Sequence, residues 1–334
     1  NVLFTNNDTA YETAISLNNK GIKINAIIDI REQSKSDLIN EINKAGIKIY
    51  NSYTVINTKG YKKINKITIM KLSKDGKTVT DSKIDINCDC LGVSGGWTPA
   101  VHLFTQSGGK LKFDDNDNIF IPSKYPSDQL SIGSCNGNLE LDDIISNINV
   151  SLKNFLKIDK TNFENLKINS SKSISRRNIW LLPSNKTVSK TKAFVDFQND
   201  ATAKDIKLAL REGFRSIEHV KRYTTTGMGT DQGKLGNMNA LGIISDTSNV
   251  KMSDLGTTTF RPPYTPLTFG TIVGRNVGEF FDAFRKTPMH DWHVQHKAKF
   301  ENVGQWKRAW YYPKDNENMH DAVQRESKAA REGA

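Results

Sequence analysis

Residues 1–50 read NVLFTNNDTAYETAISLNNKGIKINAIIDIREQSKSDLINEINKAGIKIY, and the order of apolar runs in this stretch decides the fold class. Val2-Leu3-Phe4 is short and wholly apolar, as a buried strand is. Asp8 or Thr9 can cap a helix that runs through Asn19, and Gly21 ends it before a second apolar run, Ile22 to Ile28. A second helix is predicted from about Ser36 to Ala45, with Gly46 separating it from a third strand, Ile47 to Tyr50. Strands alternating with helices at this spacing imply parallel βαβ units with right-handed crossovers, a doubly wound α/β plan.

Outward from this stretch the period changes. From Lys66 it becomes two, with Ile67, Ile69 and Lys71 leading to Asp75-Gly76 and a return strand from Thr78 to Ile86. Asp-Gly between alternating runs is a hairpin signal. A β-meander inserted into a nucleotide-binding fold is the plan of the two-dinucleotide flavoprotein architecture. Leu130-Ser131-Ile132-Gly133-Ser134-Cys135-Asn136-Gly137 reads as a strand entering a glycine turn, with a helix from Leu139 to Ile148. These signals assign residues 1–150 to the C-terminal part of a Rossmann-like, dinucleotide-binding-type domain. Residues 151–191, rich in Lys, Asn and Ser, read as a helix end and linker whose main apolar feature is Trp180-Leu181-Leu182. Residues 192–256 form a small helical module, with Asp200 or Thr202 as cap and Ile206, Leu208, Ala209 and Leu210 as its apolar set. A Pro-rich entry, Arg261-Pro262-Pro263-Tyr264-Thr265-Pro266, introduces a third region, 257–334, dense in aromatics.

Composition narrows the function classes. Of 334 residues, 37% are hydrophobic and 25% charged, which keeps the chain outside the disordered class. No apolar run approaches the length of a membrane span, and a secretory signal is absent, so the expectation is a cytoplasmic protein without membrane contact. The first residue is Asn1, and the sequence stops at Ala334 within a helical pattern from Glu326, which suggests part of a longer polypeptide. Charge is segregated: residues 1–150 hold 17 basic and 17 acidic side chains, residues 151–334 hold 30 and 19, so the net +11 lies entirely in the second part. Such a part suits an anionic cofactor or an acidic partner. Nothing in it has the form of a helix-turn-helix, a zinc finger or a single-strand-binding module, so nucleic acid is not expected. Cys88, Cys90 and Cys135 are odd in number and badly spaced for a disulfide framework or a metal site.

Candidate sites follow from residue type. The first turn, Phe4 to Ala10, stands where Gly-x-Gly-x-x-Gly would cradle a pyrophosphate, yet it holds no glycine, and Asp8 at the helix start opposes an anion. Asp29 has the spacing of a ribose-binding acid, with Arg31 beside it. In the second glycine cluster, Gly133, Ser134 and Gly137 can present free N–H groups to a phosphate at the head of a helix that begins with Leu139 and Leu141; an ordinary turn is the alternative. Leu91 to Pro99, with its three glycines, reads as a turn. Lys221 to Lys234 combines Lys221, Arg222 and Lys234 with four threonines and three glycines, which suits a phosphate, an acidic surface or plain solvent. His290, His293 and His296 lack the spacing of a zinc helix and, beside Trp292, Trp306, Trp310, Tyr311 and Tyr312, read as an aromatic cluster. No acid–base pair emerges as catalytic, and no metal ligand set is expected.

Four stretches carry a resemblance to the central part of the alpha subunit of heterotetrameric sarcosine oxidase. They are Thr5-Asn6-Asn7-Asp8-Thr9-Ala10-Tyr11 with Asp29 and Arg31; Ser94-Gly95-Gly96-Trp97-Thr98-Pro99; Lys192 to Asp200 (KAFVDFQND) with Glu218 to Thr225 (EHVKRYTT); and Thr258 to Pro266 (TTFRPPYTP). The resemblance implies that a first nucleotide-binding half precedes Asn1. It implies that 192–256 corresponds to a small [2Fe-2S] domain, here without any cysteine to hold a cluster. It also implies that 257–334, with Thr287-Pro288-Met289-His290-Asp291-Trp292-His293 and Gly304-Gln305-Trp306, begins an α+β aminomethyltransferase-like folate domain. The implied activity is oxidative demethylation of sarcosine to glycine with H2O2, the one-carbon unit going to tetrahydrofolate or leaving as formaldehyde. The implied cofactors are NAD and tetrahydrofolate on the alpha subunit, FMN at the alpha–beta interface and FAD on the beta subunit, with gamma and delta subunits completing the heterotetramer. Gly133, Ser134, Gly137, Leu139 and Leu141 would then support the NAD of the first half, and Lys221, Arg222 and Lys234 would face the FMN phosphate or a beta-subunit carboxylate. Two other readings stay open: a stand-alone pyridine-nucleotide flavin reductase, and a non-catalytic basic scaffold.

Overall fold

The computed structural model describes residues 1–34, 37–126, 128–157, 177–263, 265–275 and 283–333, so Ser36, Tyr264, Ala334 and part of the 151–191 linker lie outside the described residues. The chain resolves into two compact units, Asn1–Thr265 and Pro266–Ala334.

The first unit opens with β1 (Val2–Thr5), α1 (Thr9–Asn19), β2 (Ala26–Asp29), α2 (Ile39–Lys44) and β3 (Lys48–Asn51). It continues with β4 (Tyr53–Gly60), β5 (Ile64–Leu72), β6 (Val79–Asn87) and β7 (Leu91–Ser94). Strands β3, β2, β1 and β7 form, in that order, an all-parallel sheet, and β4-β5-β6 form an antiparallel meander between its third and fourth strands in sequence. The α/β class and the meander are therefore as expected, with β4 an addition.

The period-two alternation of strand side chains explains the layering. Val2, Ala26 and Ile28 point to one face and pack with Ile67, Ile69 and Cys88 of the meander side; Leu3 and Ile27 point to the other and pack with Tyr11, Ala14, Ile24, Ile42 and Ile47. The predicted doubly wound cover is thus realised differently, with helices on one face and the meander on the other. Each fully buried Ile in these layers contributes roughly 1.5–3 kcal/mol relative to exposure. Helix α2 begins at Ile39; Asp8 stands at the N-cap of α1 as expected but makes no side-chain capping bond, and the Thr9 N–H donates instead to Asn7 Oδ1 at 3.1 Å.

After α3 (His102–Gln106), the hairpin β8 (Lys110–Asp114) and β9 (Ile119–Lys124) leads to a 3-10 turn over Gly133–Asn136 and to α4 (Leu141–Leu156). The strand expected at Leu130–Ile132 does not form, and the helix starts at Leu141 instead of Leu139. A hairpin, β10 (Phe194–Asp196) and β11 (Ala201–Thr202), precedes α5 (Ala203–Arg211), α6 (Ile217–Thr224), α7 (Asn237–Ser248) and α8 (Met252–Leu255). Thr202 and Asp205 form the capping box of α5. The core of these helices (Ile206, Ala209, Leu210, Val220, Leu241, Ile243, Ile244) also takes in Phe120 of β9, and Trp180 and Leu181 pack against it.

The second unit contains α9 (Phe269–Val273), β12 (Arg285–Lys286), α10 (His290–Gln295), β13 (Lys299–Val303), β14 (Trp306–Tyr311) and α11 (Met319–Glu332), the strands forming one sheet in the order β12-β14-β13. Helix α11 ends at Glu332, with Gly333 in the left-handed conformation. No described helix is long and apolar enough to cross a membrane.

Candidate functional site

Parallel pairing in register aligns Thr5, Asp29, Asn51 and Ser94 at the carboxyl edge of the sheet. Such an edge is where open α/β sheets bind ligands, between strands whose connections diverge, here β1 and β7. In this protein the edge is occupied by its own side chains. Asn7 is fully buried; its Nδ2 donates to Ser94 Oγ at 3.1 Å while its Oδ1 caps α1. Asp29, at the ribose-binding position, is also fully buried. Tyr11 OH donates to it at 2.9 Å and the Arg31 guanidinium at 2.6 Å. Arg31 in turn pairs with Asp8 at 2.8 Å, and Ser34 Oγ donates to that same carboxylate at 2.7 Å. Burial, helped by the charge of Asp29, pushes the Tyr11 phenol up; for Arg31, burial works against the cation, but Asp29 and Asp8 outweigh it and raise its pKa. An acid so engaged has no lone pair to offer a ribose hydroxyl.

The second glycine cluster is a tight turn. Gly133 and Gly137 have φ of +76° and +90°, and a Cβ on Gly137 would lie 2.9 Å from Ile121 of β9, so glycine is required there by both strain and space. The Gly137 and Asn138 N–H groups already donate to Ser134 and Gly133 carbonyls. Leu139 is half-buried and Leu141 exposed, while Asp142 and Asp143 fill the first turn of α4. Those carboxylates oppose a phosphate at this helix start.

The basic loop is more ordered than its sequence implied. The buried Asp196 carboxylate accepts from Gly227 N at 2.6 Å, Gln198 N at 2.8 Å and Asn199 N at 3.0 Å; burial disfavours its charge, but these N–H groups win and hold it below the usual carboxylate range. Onto this loop the segment Thr258–Pro263 is laid. Asn237 Nδ2 donates to Thr258 Oγ1 at 3.1 Å, Thr259 N donates to Glu218 at 2.6 Å, and Arg261 N donates to Gln232 Oε1 at 2.8 Å. Gln232 Nε2 donates to the carbonyls of Arg261 and Pro263, and Phe260 packs on His102 with centroids 3.9 Å apart and ring planes inclined at 48°.

Of the predicted cations, two lie on α6 and one in the loop that follows it. Lys221 and Arg222 lie in the last turn of α6, with Arg222 3.4 Å from Glu218. Lys234 lies close enough to His102 that its charge adds to burial in pushing the imidazole pKa down to about 4. Sequence reasoning singled out the three cations but not Asp196, Gln232 or His102. Asp196 lies in the KAFVDFQND stretch and Gln232 in the Lys221–Lys234 loop, whereas no local signal marks His102.

In the second unit the histidines pack as aromatics. Trp292 stacks on His296 at 3.8 Å, and His293 Nδ1 hydrogen-bonds Tyr312 OH. Among the described residues no cluster of His, Cys, Asp or Glu could hold a metal, and the three cysteines are free.

Residues 190–275 match the sarcosine oxidase A3 domain family. The sarcosine oxidase subunit alpha of Corynebacterium sp. (strain P-1) is 34% identical over 99% of this chain and 35% of its own length; that of Rhizobium meliloti (strain 1021) is 34% identical over 99% and 32%. The chain therefore spans about a third of the length of these relatives. Among solved structures, L-proline dehydrogenase from P. horikoshii superposes with a TM-score of 0.53 at 17% identity, covering 82% of this chain and 54% of that one, a likeness of fold.

Proposed function

From the premise that this chain is homologous, over nearly its whole length, to sarcosine oxidase alpha subunits, we propose that it performs the part of such a subunit in a multisubunit flavin-dependent amine oxidase. The overall reaction is sarcosine, O2 and water to glycine, formaldehyde and H2O2, with tetrahydrofolate taking the one-carbon unit in place of release. The observation that carries this reading is the identity of about a third of positions across 99% of the chain.

The groups this reading implies, FAD on a beta subunit, FMN at the alpha–beta interface, and NAD and tetrahydrofolate on alpha, supply electron transfer and one-carbon acceptance when bound. This chain's own residues have different parts in holding them. Lys221, Arg222 and Lys234 bring guanidinium and ammonium donors to the rim of a pinned loop, a donor set that fits the FMN phosphate or a beta-subunit carboxylate. Gly133, Ser134, Gly137, Leu139 and Leu141 form a closed turn followed by acidic residues, which suits support of an NAD held by another element rather than direct phosphate contact. Residues 192–256 contain no cysteine and do not fit an iron–sulfur cluster. The aromatic sheet of the second unit is read as the start of the folate domain, and gamma and delta subunits as completing the assembly, in the cytoplasm.

The test is assembly of the full-length alpha polypeptide with its beta subunit. Sarcosine-dependent glycine and H2O2 formation is expected, and Lys221→Ala, Arg222→Ala and Lys234→Ala, made singly, are expected to reduce FMN content or assembly in at least one case. An assembled, flavin-loaded complex that turns over no sarcosine would overturn the activity. Normal FMN content in all three variants at high salt would make the loop a solvated surface.

A further inference from the structure

The carboxyl edge of the parallel sheet is filled from within by a segment far away in sequence. Arg177 N–H donates to the Asn6 carbonyl at 3.2 Å, in the turn that would otherwise face a pyrophosphate. The Arg177 guanidinium spans two further carbonyls: Nη1 to Ile30 O at 2.9 Å, just past the end of β2, and Nη2 to Lys74 O at 2.6 Å, in the β5–β6 turn. Beside it, Asn6 Nδ2 donates to Asn178 Oδ1 at 3.4 Å. Next, Ile179 closes over Gly76, where an added Cβ would lie 2.8 Å from the Ile179 Cδ1. Trp180 then covers Gly242 of α7, and Leu181 enters the helical core. Five consecutive residues thus touch the nucleotide-binding edge, the meander and the helical module, all within the first unit.

We propose that Arg177–Leu181 is an intramolecular clasp. It takes the place of a dinucleotide at this βαβ unit and fastens the sheet edge to the helical module. Three observations converge on it. The turn lacks the glycines that let a pyrophosphate approach, and the acid at the ribose position is sealed in an ion pair with Arg31. A guanidinium has five N–H donors in a planar fork, and here it satisfies two carbonyls of different elements that a cofactor-binding unit would leave to ligand or water. The residues present therefore do not fit a dinucleotide here. This inference stands apart from the proposed oxidase activity, because it concerns only what fills this crevice.

The experiment is amide hydrogen exchange by mass spectrometry on the 334-residue chain, with and without NAD, in wild type, Arg177→Ala and Arg177→Lys. In wild type, NAD is expected to leave exchange unchanged in peptides covering residues 5–9, 26–34 and 91–97. In Arg177→Ala, exchange is expected to rise about a hundredfold in the peptides carrying residues 5–9, 73–78 and 179–182, the size of effect that loss of two hydrogen bonds to a charged donor gives. Arg177→Lys keeps the charge but reaches one carbonyl at a time, and its exchange is expected between the two. NAD-dependent protection at the sheet edge would overturn the proposal. So would an Arg177→Ala chain that exchanges like wild type, or one whose exchange rises equally in every element. None of these readouts depends on sarcosine turnover, so failure here leaves the oxidase reading untouched, and failure there leaves the clasp untouched.

Discussion

Acid should loosen the first unit through one imidazole. His102 opens α3, is 6% exposed and packs against the tilted ring of Phe260. Burial, assisted by the Lys234 charge, pushes its pKa down to about 4, against about 6.5 in an unfolded chain. The folded pKa is depressed, so the contribution is fully present above pH 6.5 and is lost as pH falls, because the unfolded chain takes up a proton that the folded chain refuses. The loss approaches about 1.4 kcal/mol per pH unit across that window and levels off below pH 4 at roughly 3 kcal/mol. Between pH 7 and pH 5 it should be about 2 kcal/mol. The assay is urea unfolding of wild type and His102→Phe at both pH values, followed by tryptophan fluorescence. Carboxylates such as Asp196 titrate in both chains, so they cancel in the difference. Wild type should lose about 2 kcal/mol more than the variant over this interval. Equal losses in the two chains would refute the reasoning.

Asp196→Asn removes the charge that three N–H groups share, and should cost about 2 kcal/mol, visible as a melting temperature lowered by roughly 5 °C. Gly242→Ala would ordinarily strengthen α7 by about 1 kcal/mol, but its methyl meets the Trp180 ring, so the net effect should be destabilising; Trp180→Leu in the same chain should relieve it, as urea midpoints would record. Anaerobic reconstitution with iron and sulfide should produce no cluster absorbance, since residues 192–256 carry no cysteine.

The parallel sheet was legible because its strands are short apolar runs punctuated by Gly21 and Gly46, which end the intervening helices. Strand β4 was not: Tyr53–Gly60 mixes polar and apolar residues, and its pairing partner lies on the far side of a turn. Leu130-Ser131-Ile132 has strand composition but pairs with no strand among the described residues, so composition overstated it. The cations at 221, 222 and 234 could be picked out by residue type. What orders them could not, because Gln232 and Arg261 are 29 positions apart and Glu218 and Thr259 are 41 apart, and no local periodicity encodes such contacts. Likewise, Asp29 at its expected spacing looked like a ribose ligand, and only the side chains of Tyr11, Arg31 and Asp8 converging on one point reveal that it is spent.

Gln232 is where this long-range ordering can be broken with the fewest atoms. One side-chain amide makes three bonds to a single backbone segment: Nε2 to Arg261 O at 2.6 Å and to Pro263 O at 2.9 Å, and Oε1 from Arg261 N at 2.8 Å. The arrangement needs a donor and an acceptor on the same planar group, which the Gln side-chain amide supplies. Gln232→Glu keeps the shape and the acceptor but turns the donor into a carboxylate oxygen facing two carbonyls, so two attractions become repulsions. The bonds are exposed, and each is worth about 1 kcal/mol or less net, so the whole fold should survive while the segment Thr258–Pro263 lifts. Amide exchange at Thr259 and Arg261 should therefore rise roughly tenfold in Gln232→Glu, with α5 and α7 unchanged. Because Thr259 of this segment and Arg222 share Glu218, FMN content of the assembled complex should fall with it. A Gln232→Glu chain whose segment exchanges like wild type would show that the amide is not what pins it, and that His102 and Glu218 suffice.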